Sequence, residues 1–168
     1  SQARAWGEAQ SSWPAAMVEF YGGDLQGVEQ NLDYLTDLGV NAIYFNPIFT
    51  AYSNHRYDVL DYYKVDPHLG GDAALISLRH ATAQRGMHFI LDIVPNHAGV
   101  EHPWFKSALE DPTAPTADFF TFHKHPDEYE SWLGVRSLPK LNYRSQKLRE
   151  TMYAGADSIF RHWLKTPY

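Results

Sequence analysis

Asp92 interrupts an otherwise apolar run, Leu91-Asp92-Ile93-Val94, and the chain then breaks at Pro95-Asn96-His97. Asp92 and His97 are five positions apart, on either side of a strand end. That pattern suits a strand whose carboxyl end delivers polar groups to a ligand. It equally suits an aspartate that ties down a turn. A second cluster, His55, Tyr57, Asp58, Asp61 and Tyr62, falls within eight residues. Aromatic rings beside hydrogen-bonding groups match a sugar, which has a flat apolar face and a polar rim. A tyrosine-rich loop packed on itself has the same composition. Two carboxylates that face each other could hydrolyse a glycosidic bond. Asp58 or Asp61 with Asp92 can be nominated, but spacing alone does not bring them together. His123-Lys124-His125 reads as a solvated pair before a metal site. The sequence has no phosphate loop and no G-x-S-x-G nucleophile elbow.

These residues need strands and helices to place them. Leu25, Val28, Leu32, Leu35 and Leu38 recur at helical spacing, with Asp24 placed to cap the start and Gly39 the end. "NAIYFNPIF" follows and reads as a buried strand stopped by Asn46-Pro47. Thr50 to Gly71 reads as a long polar, aromatic-rich loop, and such loops in compact domains are usually functional or disordered. "DAALISLRHATAQRG" predicts a helix with Asp72 as N-cap and Gly86 just past its end. "HFILDIV" predicts a second buried strand. An irregular, proline-rich stretch follows His97. The chain closes with one helix over "SQKLRETMYAGADSIFRHWLK", capped by Ser145, with Leu148, Met152, Ala156, Ile159, Phe160 and Trp163 as its apolar stripe. Alternating helices and apolar strands imply an α/β fold with parallel strands. Both long stretches follow strands, and loops at strand carboxyl ends carry function in such folds.

Bulk composition sets limits on function. The 168 residues are 44% hydrophobic and 20% charged, a globular composition. Net charge is −6 without a basic stripe, which argues against nucleic acid as a partner. No apolar run approaches the roughly 20 residues of a membrane helix. Cysteine is absent, so disulfides and thiolate chemistry are excluded.

Several stretches, taken together, resemble one family. "DIVPNH" (92–97) is similar to the first signature region of the α-amylase superfamily, glycoside hydrolase family 13. "YFNPIF", "NHRYDVLDYYKVDPHLGG" and "GMHFILDIVPNHAG" match it in the same order. "FYGGDLQGV", "LPKLN" (138–142) and "DSIFRHWLKTP" resemble its neopullulanase and maltodextrin glucosidase branch. The likeness runs from about Phe20 to Tyr168. It implies part of a TIM (β/α)8 barrel: helix 1, strand 2, helix 2, strand 3, a short inserted B segment and helix 3. The expected boundaries are an N-terminal extension at 1–19, partial barrel at 20–97, insertion at 98–144 and barrel helix at 145–168.

The resemblance also implies roles. The histidine matching His97 hydrogen-bonds the sugar at the cleavage site, and the aspartate matching Asp92 helps orient an arginine. The tyrosine matching Tyr57 stacks on that sugar, with the histidine matching His55 beside it. The nucleophile, acid/base and second aspartate follow strands four, five and seven, so no catalytic carboxylate is expected before Tyr168. Asn96 matches a calcium ligand of many α-amylases, but Lys140 stands where calcium-dependent members have an aspartate. Neither metal nor cofactor is therefore expected. The implied activity is retaining cleavage of α-1,4, and secondarily α-1,6, bonds of maltodextrins in the cytoplasm. This chain by itself is expected to be inactive and prone to self-association. The alternative is a non-catalytic, amylase-like accessory or binding subunit.

Overall fold

The computed structural model describes residues 3–5 and 7–165. Two compact units emerge among them, one built from the described residues up to 56 and from 64–93, the other from 57–63 and 94–165.

In the first unit, Asp24 starts α1 (Leu25–Gln30) as expected, its Oδ1 accepting from the Gly27 amide at 2.7 Å. The single helix expected to Leu38 is instead two, with α2 at Leu32–Asp37. Asn31 makes the break: its side chain donates to the Gly27 carbonyl at 2.8 Å, a local bond that competes with the helical ladder. Leu25 and Leu32 are buried, while Leu38 of the expected stripe is exposed.

Strand β1 (Ala42–Phe45) pairs in parallel with β4 (His88–Leu91), in the register Tyr44↔Ile90 and Phe45↔Leu91. Helix α3 (Gly71–Gln84) precedes β4 and packs on α1. The two strands were expected to be buried, but they alternate between exposed and half-buried. Phe45 and Phe89 stack at 4.7 Å on one face, with the Arg79 guanidinium 5.1 Å over Phe89. Ala42, Tyr44, His88 and Ile90 project from the other face, where they are exposed. A parallel sheet buries both faces only when helices or strands cover both.

The stretch expected as a loop from Thr50 to Gly71 contains two strands, β2 (Phe49–Ala51) and β3 (Val59–Val65), which pair. β-Branched and aromatic residues in Val59–Val65 explain this, with Val59, Tyr62 and Val65 its buried residues. Asp72 is not the N-cap of α3. Gly70 holds that place at φ +94°, where a Cβ would meet Ala74 Cβ at 2.7 Å. The Asp72 carboxylate reaches back to the Val65 amide at 2.9 Å.

The second unit holds most of the expected irregular segment, which proves ordered. Pro103 opens α4 (Pro103–Glu110), a position where its missing N–H costs nothing. Two antiparallel pairs follow: β5 (Phe122–Lys124) with β6 (Glu128–Tyr129), and β7 (Ser131–Trp132) with β8 (Val135–Pro139). Phe105, Phe119 and Phe120 form the apolar centre. The closing helix is broken into α5 (Gln146–Arg149), a π turn at Glu150–Ala154, and α6 (Ile159–Lys165). Ser145 caps α5 as expected, accepting from the Leu148 amide at 3.1 Å. Gly155 ends the turn in extended backbone, its amide bonded to the Glu150 carbonyl at 2.9 Å. That interruption rephases the stripe: Leu148, Met152 and Ile159 are buried, but Ala156 is exposed.

Candidate functional site

Asp92 follows β4 directly, its amide bonded to the Phe45 carbonyl at 3.1 Å, so it continues the parallel ladder. Its Oδ2 accepts from the Tyr44 hydroxyl at 2.8 Å. Parallel register makes this possible, because Tyr44 sits opposite Ile90, two residues before Asp92 and on the same face. The bond holds the Tyr44 hydroxyl above the ordinary tyrosine range, since ionisation would set two anions side by side. The interior aspartate of the apolar run is therefore a half-buried carboxylate with one oriented oxygen.

His55 is half-buried in the same unit and lines an open cleft of about 650 Å³ with Phe45, Asn46, Asn54 and Arg56. Its neighbour Arg56 fixes the local backbone. Arg56 has φ +59° and is buried, with Nε donating to Asp66 Oδ2 at 3.1 Å and Nη1 to the Asn54 carbonyl at 2.8 Å. Buried Asp66 also accepts from the His68 amide at 2.8 Å, and His68 stacks on Phe20 at 5.0 Å. A buried ion pair with its remaining oxygens satisfied defines a conformation more than it stabilises one. Sequence alone does not show this anchor, because its partners lie ten residues apart.

Tyr57 and His97 belong to the second unit, so the four expected site residues divide two and two. Tyr57 is half-buried and His97 is buried. Tyr62 is not a ligand platform. It is buried, and its hydroxyl lies 2.9 Å from the Val94 carbonyl and 2.8 Å from that of His97. Burial pushes its pKa far up, which keeps the hydroxyl a donor. Tyr62 thus clamps the backbone on which His97 rides. Asp61 accepts from the Tyr63 amide at 2.8 Å, a local bond within β3.

His97 has three further neighbours. Its Nδ1 lies 3.1 Å from Asn96 Nδ2, its backbone bridges to Lys140, and its ring centroid is 5.8 Å from that of Trp132. The bridge extends along β8, with the Ala98 amide on the Pro139 carbonyl at 3.1 Å and the Val100 amide on the Ser137 carbonyl at 3.0 Å. Residues 97–100 therefore run hydrogen-bonded along β8, which also pairs with β7. Trp132 was not singled out from sequence. The signal for it was Leu133-Gly134, a two-residue turn between β-prone residues.

The donor set around Asn96 does not fit calcium. Its carbonyl accepts from the Leu141 amide at 2.9 Å, and its side-chain Nδ2 lies 3.1 Å from His97 Nδ1. Calcium requires six to eight oxygens. Among the described residues no three His, Asp or Glu side chains group as a metal site. His125 instead places Nε2 2.8 Å from the Ala108 carbonyl, while His123 lies 3.9 Å from Glu130. Among the same residues, no helix is long and apolar enough to cross a membrane.

The family described as alpha amylase, catalytic domain, matches residues 2–167. An intracellular maltogenic amylase of Bacillus subtilis is 38% identical over 151 residues, which is 88% of this chain and 25% of that protein. A cyclomaltodextrinase of Geobacillus thermopakistaniensis is 40% identical over 170 residues, 97% of this chain and 28% of its own length. The chain thus spans about a quarter of the curated relatives it matches. Among solved structures, the type III pullulan hydrolase from Thermococcus kodakarensis superposes with a TM-score of 0.87 at 36% identity, over 95% of this chain and 28% of that one.

Proposed function

Because this chain belongs to the α-amylase catalytic-domain family, we propose that the protein carrying it is a retaining glycoside hydrolase. Its substrates are maltodextrins, cleaved at α-1,4 bonds and secondarily at α-1,6 bonds. The observation that carries the reading is Asp92, held by Tyr44 at a strand end inside a match covering residues 2–167. In this reading His97 hydrogen-bonds a glucosyl unit, Tyr57 stacks on it, His55 lies beside it, and Asp92 orients a cationic group near the bond to be cleaved. The names maltogenic amylase and cyclomaltodextrinase support α-glucans as the substrate class. "Intracellular" in one of those names supports a cytoplasmic location.

Retaining hydrolysis needs a nucleophile and an acid/base about 5 Å apart. Asp61 accepts from the Tyr63 amide and Asp92 from the Tyr44 hydroxyl, so both act in support. Our reading places the reacting carboxylates on later strands and expects no turnover from these 168 residues alone. The test is hydrolysis of maltotriose, p-nitrophenyl maltoside and a cyclomaltodextrin by the whole protein, with the first-formed anomer read by NMR. The α-anomer is expected. A β-anomer would remove retention. Sugar binding without any turnover would favour the accessory-subunit reading.

A further inference from the structure

The segment Val94-Pro95-Asn96-His97 lies beyond the end of β4 and belongs to no strand, with His97 alone making a bridge. Its carbonyls must therefore find partners outside a regular ladder. All four do. Those of Val94 and His97 share the Tyr62 hydroxyl, at 2.9 and 2.8 Å. That of Asn96 accepts from the Leu141 amide at 2.9 Å. That of Pro95 accepts from the Tyr143 hydroxyl at 2.5 Å.

The four bonds are not equivalent. Tyr62 has a single hydroxyl proton for two carbonyls, so each receives a shared bond. Pro95 has no N–H, so its carbonyl is the one backbone group through which it can be held. Tyr143 meets that carbonyl, two residues before His97. Tyr143 is itself fixed from behind. Its own carbonyl accepts from Arg149 Nη1 of α5 at 2.6 Å. Its ring stacks on that of Tyr153 at 6.2 Å, with planes inclined by 28°, and Tyr153 lies in the π turn Glu150–Ala154. Burial pushes the Tyr143 hydroxyl up to about 12, so it stays a donor at neutral pH. A chain of contacts thus runs from the π turn through two stacked rings to the backbone that carries the imidazole.

We propose that Tyr143 is a positioning residue for His97, holding the preceding backbone so that the imidazole keeps its place toward a bound glucosyl unit. The part given to His97 rests on the maltodextrin reading above. Without the hydroxyl, the Pro95 carbonyl loses its anchor, and the two shared Tyr62 bonds and the Leu141 bond are left to hold the segment.

In the whole protein, Tyr143→Phe keeps the ring and its stacking and removes only the hydroxyl. Its kcat/KM for maltotriose should fall about fivefold, the scale of one lost hydrogen bond. In a His97→Ala background the same substitution should change the remaining kcat/KM by less than about twofold, because an effect that acts through His97 has nothing left to act on. The ring Cε1–H NMR signal of His97, identified by its loss in His97→Ala, should move in Tyr143→Phe with no sugar present. A purely stabilising role would lower both backgrounds equally. Equal losses in the two backgrounds, no loss in the first, or an unmoved signal overturns the proposal even if the enzyme cleaves maltodextrins. If the wild type neither cleaves nor binds maltodextrin while the signal moves, the function reading fails instead and takes the role of His97 with it.

Discussion

The hydroxyl of Tyr44 and the carboxylate of Asp92 meet at 2.8 Å across two parallel strands that are 48 residues apart in sequence. Parallel register alone brings them together, because Tyr44 pairs with Ile90 and Asp92 follows by one period of two. Tyr44 is thus a positioning residue for Asp92. The bond raises the Tyr44 pKa. Asp92→Asn should bring its titration back down toward that of a free tyrosine, read from the ring-carbon NMR signal that disappears in Tyr44→Phe. An unmoved titration would mean the pair does not persist in solution. In the whole enzyme, Tyr44→Phe should lower kcat/KM several-fold, as expected of one lost hydrogen bond of about 1 kcal/mol.

A buried histidine makes the second unit acid-sensitive. His102 caps α4 by accepting from the Trp104 amide at 3.1 Å, and it packs against Tyr62 and Trp104. Burial lowers its pKa to about 4. The unfolded value is near 6.5, so the unfolded chain binds the proton first as pH falls. The neutral ring's stabilisation is complete above about pH 6.5 and is lost progressively toward pH 4. The loss amounts to about 3 kcal/mol as an order of magnitude. Denaturant melts from pH 7 to 4 should show this slope. His102→Asn keeps a capping oxygen and should flatten it, and an unchanged slope would assign the acid sensitivity to other groups.

Backbone contact gives a sharper structural test. A Cβ at Gly99 would stand 2.6 Å from the Asp58 carbonyl oxygen and 3.1 Å from that of Val59. The Gly99 amide already bonds the Val59 carbonyl at 2.9 Å. Neither backbone oxygen is the end of a flexible side chain, so Gly99→Ala must push strands apart. A loss of about 1–3 kcal/mol in unfolding free energy is expected, typical of overpacking. A neutral variant would show that β3 and residues 98–100 are less closely apposed.

The limits of sequence reading show in these residues. Caps at Asp24 and Ser145 were legible because one side chain bonds an amide three residues on. The parallel pairing of β1 and β4 was legible from two apolar runs around a helix. The π turn at Glu150–Ala154 was not, because continuous helical periodicity hides one inserted residue per turn. His55, Tyr57, Asp92 and His97 were nominated through resemblance. The neighbours Tyr44 and Trp132 were not, since strand register and a shared β8 bring them near Asp92 and His97, and neither is written locally.

Calcium should leave the chain unaffected. Lys140 bridges to His97 and the Asn96 carbonyl is engaged by Leu141, so the oxygen ligands that a hard cation requires are not assembled there. Adding millimolar calcium or a chelator should leave the melting temperature within about 1 °C, far below the shift from a tightly bound ligand. A calcium-dependent rise that Asn96→Ala abolishes would refute this.

The exposed face of the β1–β4 pair leads to the last expectation, that this chain associates with itself. Among the described residues each strand pairs on one side only, which leaves a row of amides and carbonyls on the other. Tyr44 at 57% and Ile90 at 48% exposure lie opposite each other on that open face. Unpaired edges beside exposed apolar side chains favour pairing with another copy. Sedimentation of the 168-residue chain should therefore show a concentration-dependent dimer or larger species. Ile90→Lys places a charge at the centre of that face and leaves the Tyr44–Asp92 bond in place. It should weaken association about tenfold or more, because burying one large aliphatic side chain is worth about 1.5–3 kcal/mol. Hydrogen exchange gives the second readout, with protection at 43–45 and 90–94 rising as the chain is concentrated. A monomer at every concentration, with those amides already strongly protected, would defeat the expectation. It would mean that the strand pair is covered within a single copy.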